Sequence, residues 1–464
     1  MRRIVFASLV TGLGVTGMGM LAAGARAESI DEALVSTYNT NPQILGERAN
    51  LRAIDEGVPQ AIAGWRPTVT FLASTGFQQQ ENTPAAPPNA PGYQKLNPTT
   101  YALTLTQPIW NGGGTIAKTA QAEDQVTAER ARLVATESTA FFTAAQAYFD
   151  VLRDLAVVEL DRNNEQVLAR QLEATNDQFR VGQVTRTDVA QAQARQAAAQ
   201  ATRQTDQGAL ENDRANYTRV VGHAPIDLVQ PTRHPVLPAT RDHALTLAAT
   251  ENPNIIAAQF TEAAARDTVA ATKAQLLPTL SVVGNINRAQ DTTVLGREAT
   301  NRSAVVQLSV PLYEAGNVWS QSRAAIENVG KAQGTTDDAR RAAVQTATQA
   351  WETMQSARAS ITSLQTTIRA ATIALEGITQ QQQVGSRTVI DVLNAQQELF
   401  ADQVFLVKAQ HDYNVAEFNL SLQTGRLTAI ELKLPVDLYD VQKHYQSVRN
   451  KVIGFGSDNG TDKK

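Results

Sequence analysis

The sequence predicts a mostly helical protein with a membrane β-barrel part, built as two tandem copies of one unit: helix, β-hairpin, long helix, return helix. Three observations predict it. Motifs recur in register along most of the chain. Alternating segments of about ten residues, the length of a tilted membrane-spanning strand, follow proline-terminated helices. Two uninterrupted helical patterns cover 114–180 and 317–383.

The repeat governs how each later segment is read. Asn41-Pro42 recurs as Asn252-Pro253, and Arg66-Pro67-Thr68-Val69 as Leu277-Pro278-Thr279-Leu280, both 211 residues on. Beyond the first hairpin the offset is 203. It relates Pro108 to Pro311, Gly113 to Gly316, TAAQAY at 143–148 to TATQAW at 346–351, Gly182 to Gly385, Asp188 to Asp391 and Gly222 to Gly425. The shift of eight falls where ENTPAAPPNAPG, 81–92, lengthens the first copy's loop. The copies are 28–229 and 241–429, joined by a proline-containing linker at 230–240 and followed by a tail at 430–464.

Residues 1–27 read as a secretory signal peptide: Arg2 and Arg3, an apolar run from Ile4 to about Ala23, then Ala25-Arg26-Ala27. An opening helix is predicted at 31–63, with Ile30, Leu34, Tyr38, Ile44 and Leu51 among its apolar positions; its counterpart is 242–276. Pro67 and Pro278 end these helices and open extended segments. Strands are predicted at 67–78 and 99–110, and at 278–288 and 302–313. In the second strand of the first copy, Tyr101, Leu103, Leu105 and Ile109 share one face and Thr100, Thr104 and Thr106 the other. Val306, Leu308, Val310 and Leu312 likewise oppose Val305, Gln307 and Ser309. Pro108 and Pro311 lie near the strand ends, each followed by an aromatic, Trp110 or Tyr313, of the kind that forms membrane-interface belts. Each long helix spans roughly 100 Å. The second holds a heptad seam, Ala350, Met354, Ala357, Ile361, Leu364, Ile368, Ala371, Leu375 and Ile378. Return helices are predicted at 187–221 and 390–424. The half-length opening and return helices, set end to end, match one long helix. Four strands cannot close a membrane barrel, and open edges in lipid leave backbone groups unsatisfied, so strands in a membrane require an oligomer. The tail reads as a short packed helix with a disordered end.

Composition narrows the chemistry. There is no cysteine, which excludes disulfides, thiolate sites and a lipidated N-terminal cysteine. Without Arg2, Arg3 and Arg26 the chain holds 38 basic against 45 acidic residues, net −7, a poor balance for nucleic acid. His223, His234, His243, His411 and His444 are scattered, without metal-ligand spacing, and no P-loop or G-x-S-x-G is present. No catalytic residue, cofactor or metal is expected. An exported coiled-coil adaptor or structural protein is the competing reading; the duplicated strand–helix unit argues against it.

The doubled Asn-Pro and Pro-Thr junctions, the doubled strand exits PIWNGG and PLYEAG, the QAY/QAW pair and the doubled turn VG…TD / VG…VID, taken in order, resemble the TolC-type outer-membrane efflux proteins over 29–429. The resemblance implies a homotrimer: a twelve-stranded barrel in the outer membrane of a Gram-negative bacterium, continuous with a periplasmic helical tunnel. It implies a passive exit duct docked on a periplasmic adaptor and an inner-membrane efflux pump or an ABC transporter of type I secretion. Val181-Gly182-Gln183 and Val384-Gly385-Ser386 match the family's adaptor-contacting tips. Asp391 matches the aspartate that narrows the pore. Where the family often has a second aspartate, this chain has Asn394, which implies weaker cation preference. Thr187, Asp188 and Arg387 match residues that tie neighbouring helices shut, and Gln382 stands where the family has a tyrosine.

Overall fold

The computed structural model describes residues 27–81, 93–231 and 233–455. The expected signal peptide up to residue 26, the loop at 82–92 and the chain end at 456–464 lie outside the described residues.

The opening segment, expected as one helix over 31–63, is three: α1 (Ile30–Thr40), α2 (Pro42–Asp55) and α3 (Gly57–Ile62), closed by a 3-10 turn at Ala63–Trp65. The break is at the Asn-Pro motif. Pro42 cannot donate a helical hydrogen bond, and Asn41 leaves the helix at ψ 122° to cap α2, its side chain accepting from Gln43 N at 2.9 Å. The counterpart over 242–276 divides in the same way into α6 (Arg241–Glu251) and α7 (Pro253–Lys273), with Asn252 capping at Asn254 N, 2.9 Å.

The strands are β1 (Thr68–Thr75), a small added pair β2 (Gln78–Glu81) and β3 (Tyr93–Leu96), then β4 (Thr99–Asn111), β5 (Thr279–Gln290) and β6 (Glu298–Ser309). The helices between them are α4 (Gly114–Arg180) and α5 (Arg186–Val221) in the first copy, α8 (Asn317–Gln383) and α9 (Val389–Gln423) in the second, and α10 (Val441–Val448) in the tail. β6 differs most from expectation. It starts at Glu298, where Gln290 pairs with Glu298 across a seven-residue turn, 291–297, and stops before Pro311, which has no N–H for the ladder. Tyr313 therefore lies beyond the strand, 86% exposed.

One antiparallel sheet runs β1-β4-β5-β6, with β1 and β6 as its edges. Its register decides the faces, since directly paired residues share one. Val69 pairs with Leu105, Phe71 with Leu103, Leu103 with Ile286, Val282 with Val306 and Leu280 with Leu308. One face is thus largely apolar across the four strands, interrupted by Arg302 opposite Ile286, Arg288 opposite Tyr101 and Gln107 opposite Val282. The other carries Thr68–Thr106, Thr70–Thr104, Ser281–Gln307 and Asn285–Ser303. A bulge between Pro108 and Trp110 changes the parity, so Trp110 rather than Ile109 pairs with Leu280 and joins the apolar face.

Below the sheet the chain forms helical columns. α4 and α8 start at glycines with positive φ, Gly113 (82°) and Gly316 (77°), a conformation that costs a side-chain-bearing residue about 1–2 kcal/mol. Each long helix returns through α5 or α9. The return helices end against the Asn-Pro joints. Asn41 Nδ2 donates to Val220 O at 3.1 Å and Thr40 Oγ1 to Val221 O at 3.1 Å; Asn252 Nδ2 donates to Gln423 O at 3.1 Å. So α2 continues the column begun by α5, and α7 that begun by α9. The Asn-Pro motif is the splice. The thickest core surrounds the first splice, where Leu34, Tyr38, Phe141, Tyr148, Tyr217 and Phe418 pack together. Farther along the columns alanine dominates the contacts: Ala343, Ala347, Ala350 and Ala357 are buried along the α8 seam beside Met354, letting helices approach closely.

Candidate functional site

The two turns farthest from the sheet are built alike. Each long helix unwinds with its last amides bonding backwards: Gly182 N to Phe179 O at 2.9 Å and Gln183 N to Gln178 O at 2.9 Å, matched by Gly385 N to Gln382 O at 3.0 Å and Ser386 N to Gln381 O at 2.9 Å. Gly182 (φ 77°) and Gly385 (φ 80°) supply the left-handed residue, in open space, so backbone angle alone demands glycine there. The valines before them point outward, Val181 at 70% and Val384 at 80% exposure. Gln183 and Ser386 are exposed beside them.

The next helix starts by a reciprocal cap in both copies. Asp188 N–H donates to Thr185 Oγ1 at 3.3 Å, while Asp188 Oδ2 accepts from Thr185 N at 2.8 Å and from its hydroxyl at 2.7 Å. Asp391 and Thr388 repeat this at 3.3, 2.9 and 2.8 Å. These are capping boxes with aspartate in the usual Glu/Gln place. The Thr388 backbone N–H and hydroxyl, with Arg387 nearby, hold the Asp391 carboxyl below the usual carboxylate range. Both aspartates therefore fix a helix start as well as carrying charge. The threonines at 185 and 388 were missed in the sequence, although the T-x-x-D spacing signals them.

Val389 and Leu393 bury against Leu168, Ala192 and Ala199 of the α4–α5 hairpin. That anchors the first turns of α9 and leaves Asp391 part-exposed and Asn394 exposed, one helical turn apart. Asn394 Oδ1 accepts from Arg195 Nη2 of α5 at 3.0 Å, a cross-copy tie spanning 199 residues that no local pattern signals. Arg387 Nε donates to Gln381 Oε1 at 3.2 Å. Among the described residues no ion pair within the chain joins Arg387 to Asp188, whose carboxylate is held by Thr185. Thr187 is exposed beside it, and Gln382 is half-buried.

Charged groups also lace the seam between α4, α5 and α9. Arg153 binds Asp150 at 2.7 Å, Asp154 at 2.7 Å and Asp213 of α5 at 2.8 Å, and His411 of α9 reaches Asp150 at 2.8 Å. Desolvation and the neighbouring Asp154 push the Asp213 carboxyl up to about 6. Desolvation and Asp206 push Asp161 up to about 7. The other histidines mostly act as single ties, His234 to Glu417 at 2.7 Å and His444 to Asp55 at 2.9 Å. Among the described residues no three His, Asp or Glu are grouped to hold a metal.

Comparison with known proteins bears on this geometry. The sequence pattern described as "Outer membrane efflux protein" matches residues 33–223 and 244–426, one match per copy. The chain is 32% identical to the outer membrane efflux protein BepC of Brucella suis over 98% of this chain and 97% of that protein. It is 27% identical to the alkaline protease secretion protein AprF of Pseudomonas aeruginosa over 62% of each. Among solved structures, the outer membrane protein VceC of Vibrio cholerae superposes with a TM-score of 0.74 at 20% identity, covering 85% of this chain and 96% of that one.

Proposed function

Since the chain belongs to the outer membrane efflux protein family, we propose that it is the exit duct of a tripartite efflux or type I secretion assembly, gated at its periplasmic tips. Membership itself gives the coarser facts. The protein lies in the outer membrane with a tunnel in the periplasm, it is a channel for efflux or secretion, and its family is one of transport ducts, not enzymes. It displaces the exported coiled-coil alternative.

One observation carries the finer reading: a four-stranded sheet with a largely apolar face and two edges unpaired within the chain continues directly into columns of about 100 Å. The edges β1 and β6 demand neighbours in lipid. Three copies supply twelve strands and a closed wall, so a homotrimer is the proposed assembly. The apolar face with Trp110 meets lipid, Tyr313 sits at the interface, and the threonine-rich face lines the lumen. The tip residues Val181, Gly182, Gln183, Val384, Gly385 and Ser386 present two equivalent knobs per chain to a periplasmic adaptor, which links the duct to an inner-membrane pump or ABC transporter. The gate is formed by the starts of α5 and α9. There Asp391 and Asp188 contribute acidic groups, Asn394 is neutral, and Thr187, Arg387 and Gln382 supply polar contacts to neighbouring helices. Rings of acidic side chains select cations.

The test is single-channel conductance of the purified oligomer in a planar bilayer, wild type beside Asp391→Ala. Small cation-preferring openings that change in size or selectivity in the variant support the gate. Conductance indifferent to the change removes Asp391 from the constriction, and no conductance from assembled protein removes the duct.

A further inference from the structure

The tail climbs along the opening helices toward the sheet. Tyr439 N–H donates to Tyr38 Oη at 2.9 Å, His444 Nδ1 meets Asp55 Oδ2 at 2.9 Å, and Lys451 O accepts from Arg66 Nη1 at 2.8 Å. Partner positions 38, 55 and 66 ascend the opening helices in order, so the tail runs parallel to them. A side tie from Arg449 to Glu123 of α4, at 3.0 Å, fixes the last turn after α10. Arg66 stands two residues before β1 begins. The strap therefore delivers Lys451 to the base of the sheet, on its way toward the membrane.

Beyond Lys451 the chain reads Val452-Ile453-Gly454-Phe455. Val452 is 70% exposed, Ile453 89% and Phe455 fully exposed, although Val448 just before them is buried. Three large apolar side chains thus extend from a tightly tied strap at the level where the sheet's apolar face starts, near Trp110. Exposed apolar side chains of this size suit a phospholipid interface, where carbon enters the acyl boundary.

We propose that Val452–Phe455 is an interfacial anchor that seats the C-terminal strap in the periplasmic leaflet of the outer membrane. The occupant is phospholipid, because exposed apolar side chains stand at the level where the sheet begins. The inference rests on that sheet spanning the membrane. The anchor would fix the height of the helical columns relative to the bilayer.

The absence of cysteine permits a direct test. Nitroxide labels are placed singly in the full-length oligomer at Ile453→Cys and Phe455→Cys, with Val306→Cys on the apolar face and Lys443→Cys on the strap as references. The protein is reconstituted in vesicles containing anionic phospholipid. Collisions with oxygen, which partitions into lipid, are compared with those of a water-soluble nickel chelate. The expected result is a shift toward oxygen at 453 and 455, as at 306, and toward the chelate at 443. A water-like ratio at 453 and 455 with a lipid-like 306 overturns the anchor and leaves the barrel intact. Labels reached by neither reagent overturn it in favour of contact with another copy. A water-like 306 removes the membrane sheet and the anchor with it.

Discussion

The splice between half-length helices makes a sharp prediction. Asn41 performs two tasks with one amide: its oxygen caps α2 at Gln43 N, 2.9 Å, and its nitrogen donates to Val220 O at the end of α5, 3.1 Å. The side chain is buried, at 6% exposure. Asn41→Ala loses the cap, about 0.5–2 kcal/mol. It also leaves a buried carbonyl short of its donor, about 1–3 kcal/mol. Together these give roughly 1.5–5 kcal/mol of local stability, or about 10- to 4000-fold more opening at a tenfold change per 1.4 kcal/mol. Hydrogen exchange at the amides of Thr218–Gly222 and Gln43–Leu45 reads this opening, provided those amides exchange by local fluctuation. Asn41→Asp separates the tasks. It keeps an acceptor for the cap but has no N–H for Val220 and sets a carboxylate against that carbonyl, so it should open the joint about as much as alanine does. Asn41→Ser, a good cap without the reach, should fall between. Asn252→Ala should reproduce the effect at Gln423, because its geometry is the same. Wild-type exchange in Asn41→Asp would refute the splice: the column joint would then owe nothing to the cross-helix bond.

Gly182→Ala and Gly385→Ala each force a side chain into φ near 80°, costing the tip turn about 1–2 kcal/mol without any clash; exchange at the tip amides should rise roughly tenfold while the sheet is unaffected. Asn394→Asp adds a carboxylate and Arg195→Ala removes a cation at the same tie, so both should raise cation selectivity in bilayer reversal potentials, with Asp391→Asn moving it the other way. Asp161 has its carboxyl raised to about 7. The folded chain therefore holds a proton there that the unfolded chain gives up near its ordinary value, and stability from this group is present at low pH and falls as pH rises from about 4 to about 7. Asp161→Asn should remove that decline, raising the thermal midpoint relative to wild type most at pH 8 and progressively less toward pH 4. Asp213→Asn should act similarly with its change centred near 6.

How much was legible depended on how local the physics is. Glycine at 113, 316, 182 and 385 marks helix limits because a positive φ costs a side-chain-bearing residue about 1–2 kcal/mol, a penalty set by the local backbone. Alternation in 100–106 and 305–309 gave the two sheet faces, because strand parity is a backbone property. Parity failed at Ile109, where the bulge beside Pro108 inserts one residue, and β6 was placed too late because the turn at 291–297 was not recognised. The Asn-Pro pair was seen as a repeat marker but not as a break, since the opening helix keeps its apolar pattern across the joint: Leu34, Tyr38, Ile44 and Leu51 are all buried. Periodicity reports burial, and burial continues through the splice while the hydrogen-bond ladder does not.

The tips carry this furthest. T-x-x-D is a local cap signal, and it gives Asp188 and Asp391 a structural duty that any gating role must share. Replacing either with alanine perturbs charge and helix start together, so a changed conductance alone does not identify an acidic ring. Asparagine keeps an oxygen for the cap and removes only the charge. A gate that depends on charge will respond alike to Asp391→Asn and Asp391→Ala. A gate that depends on the ordered start of α9 will respond to alanine and be spared by asparagine, and its loss will be copied by Thr388→Ala, which leaves the carboxylate in place and takes away the hydroxyl that holds it at 2.8 Å.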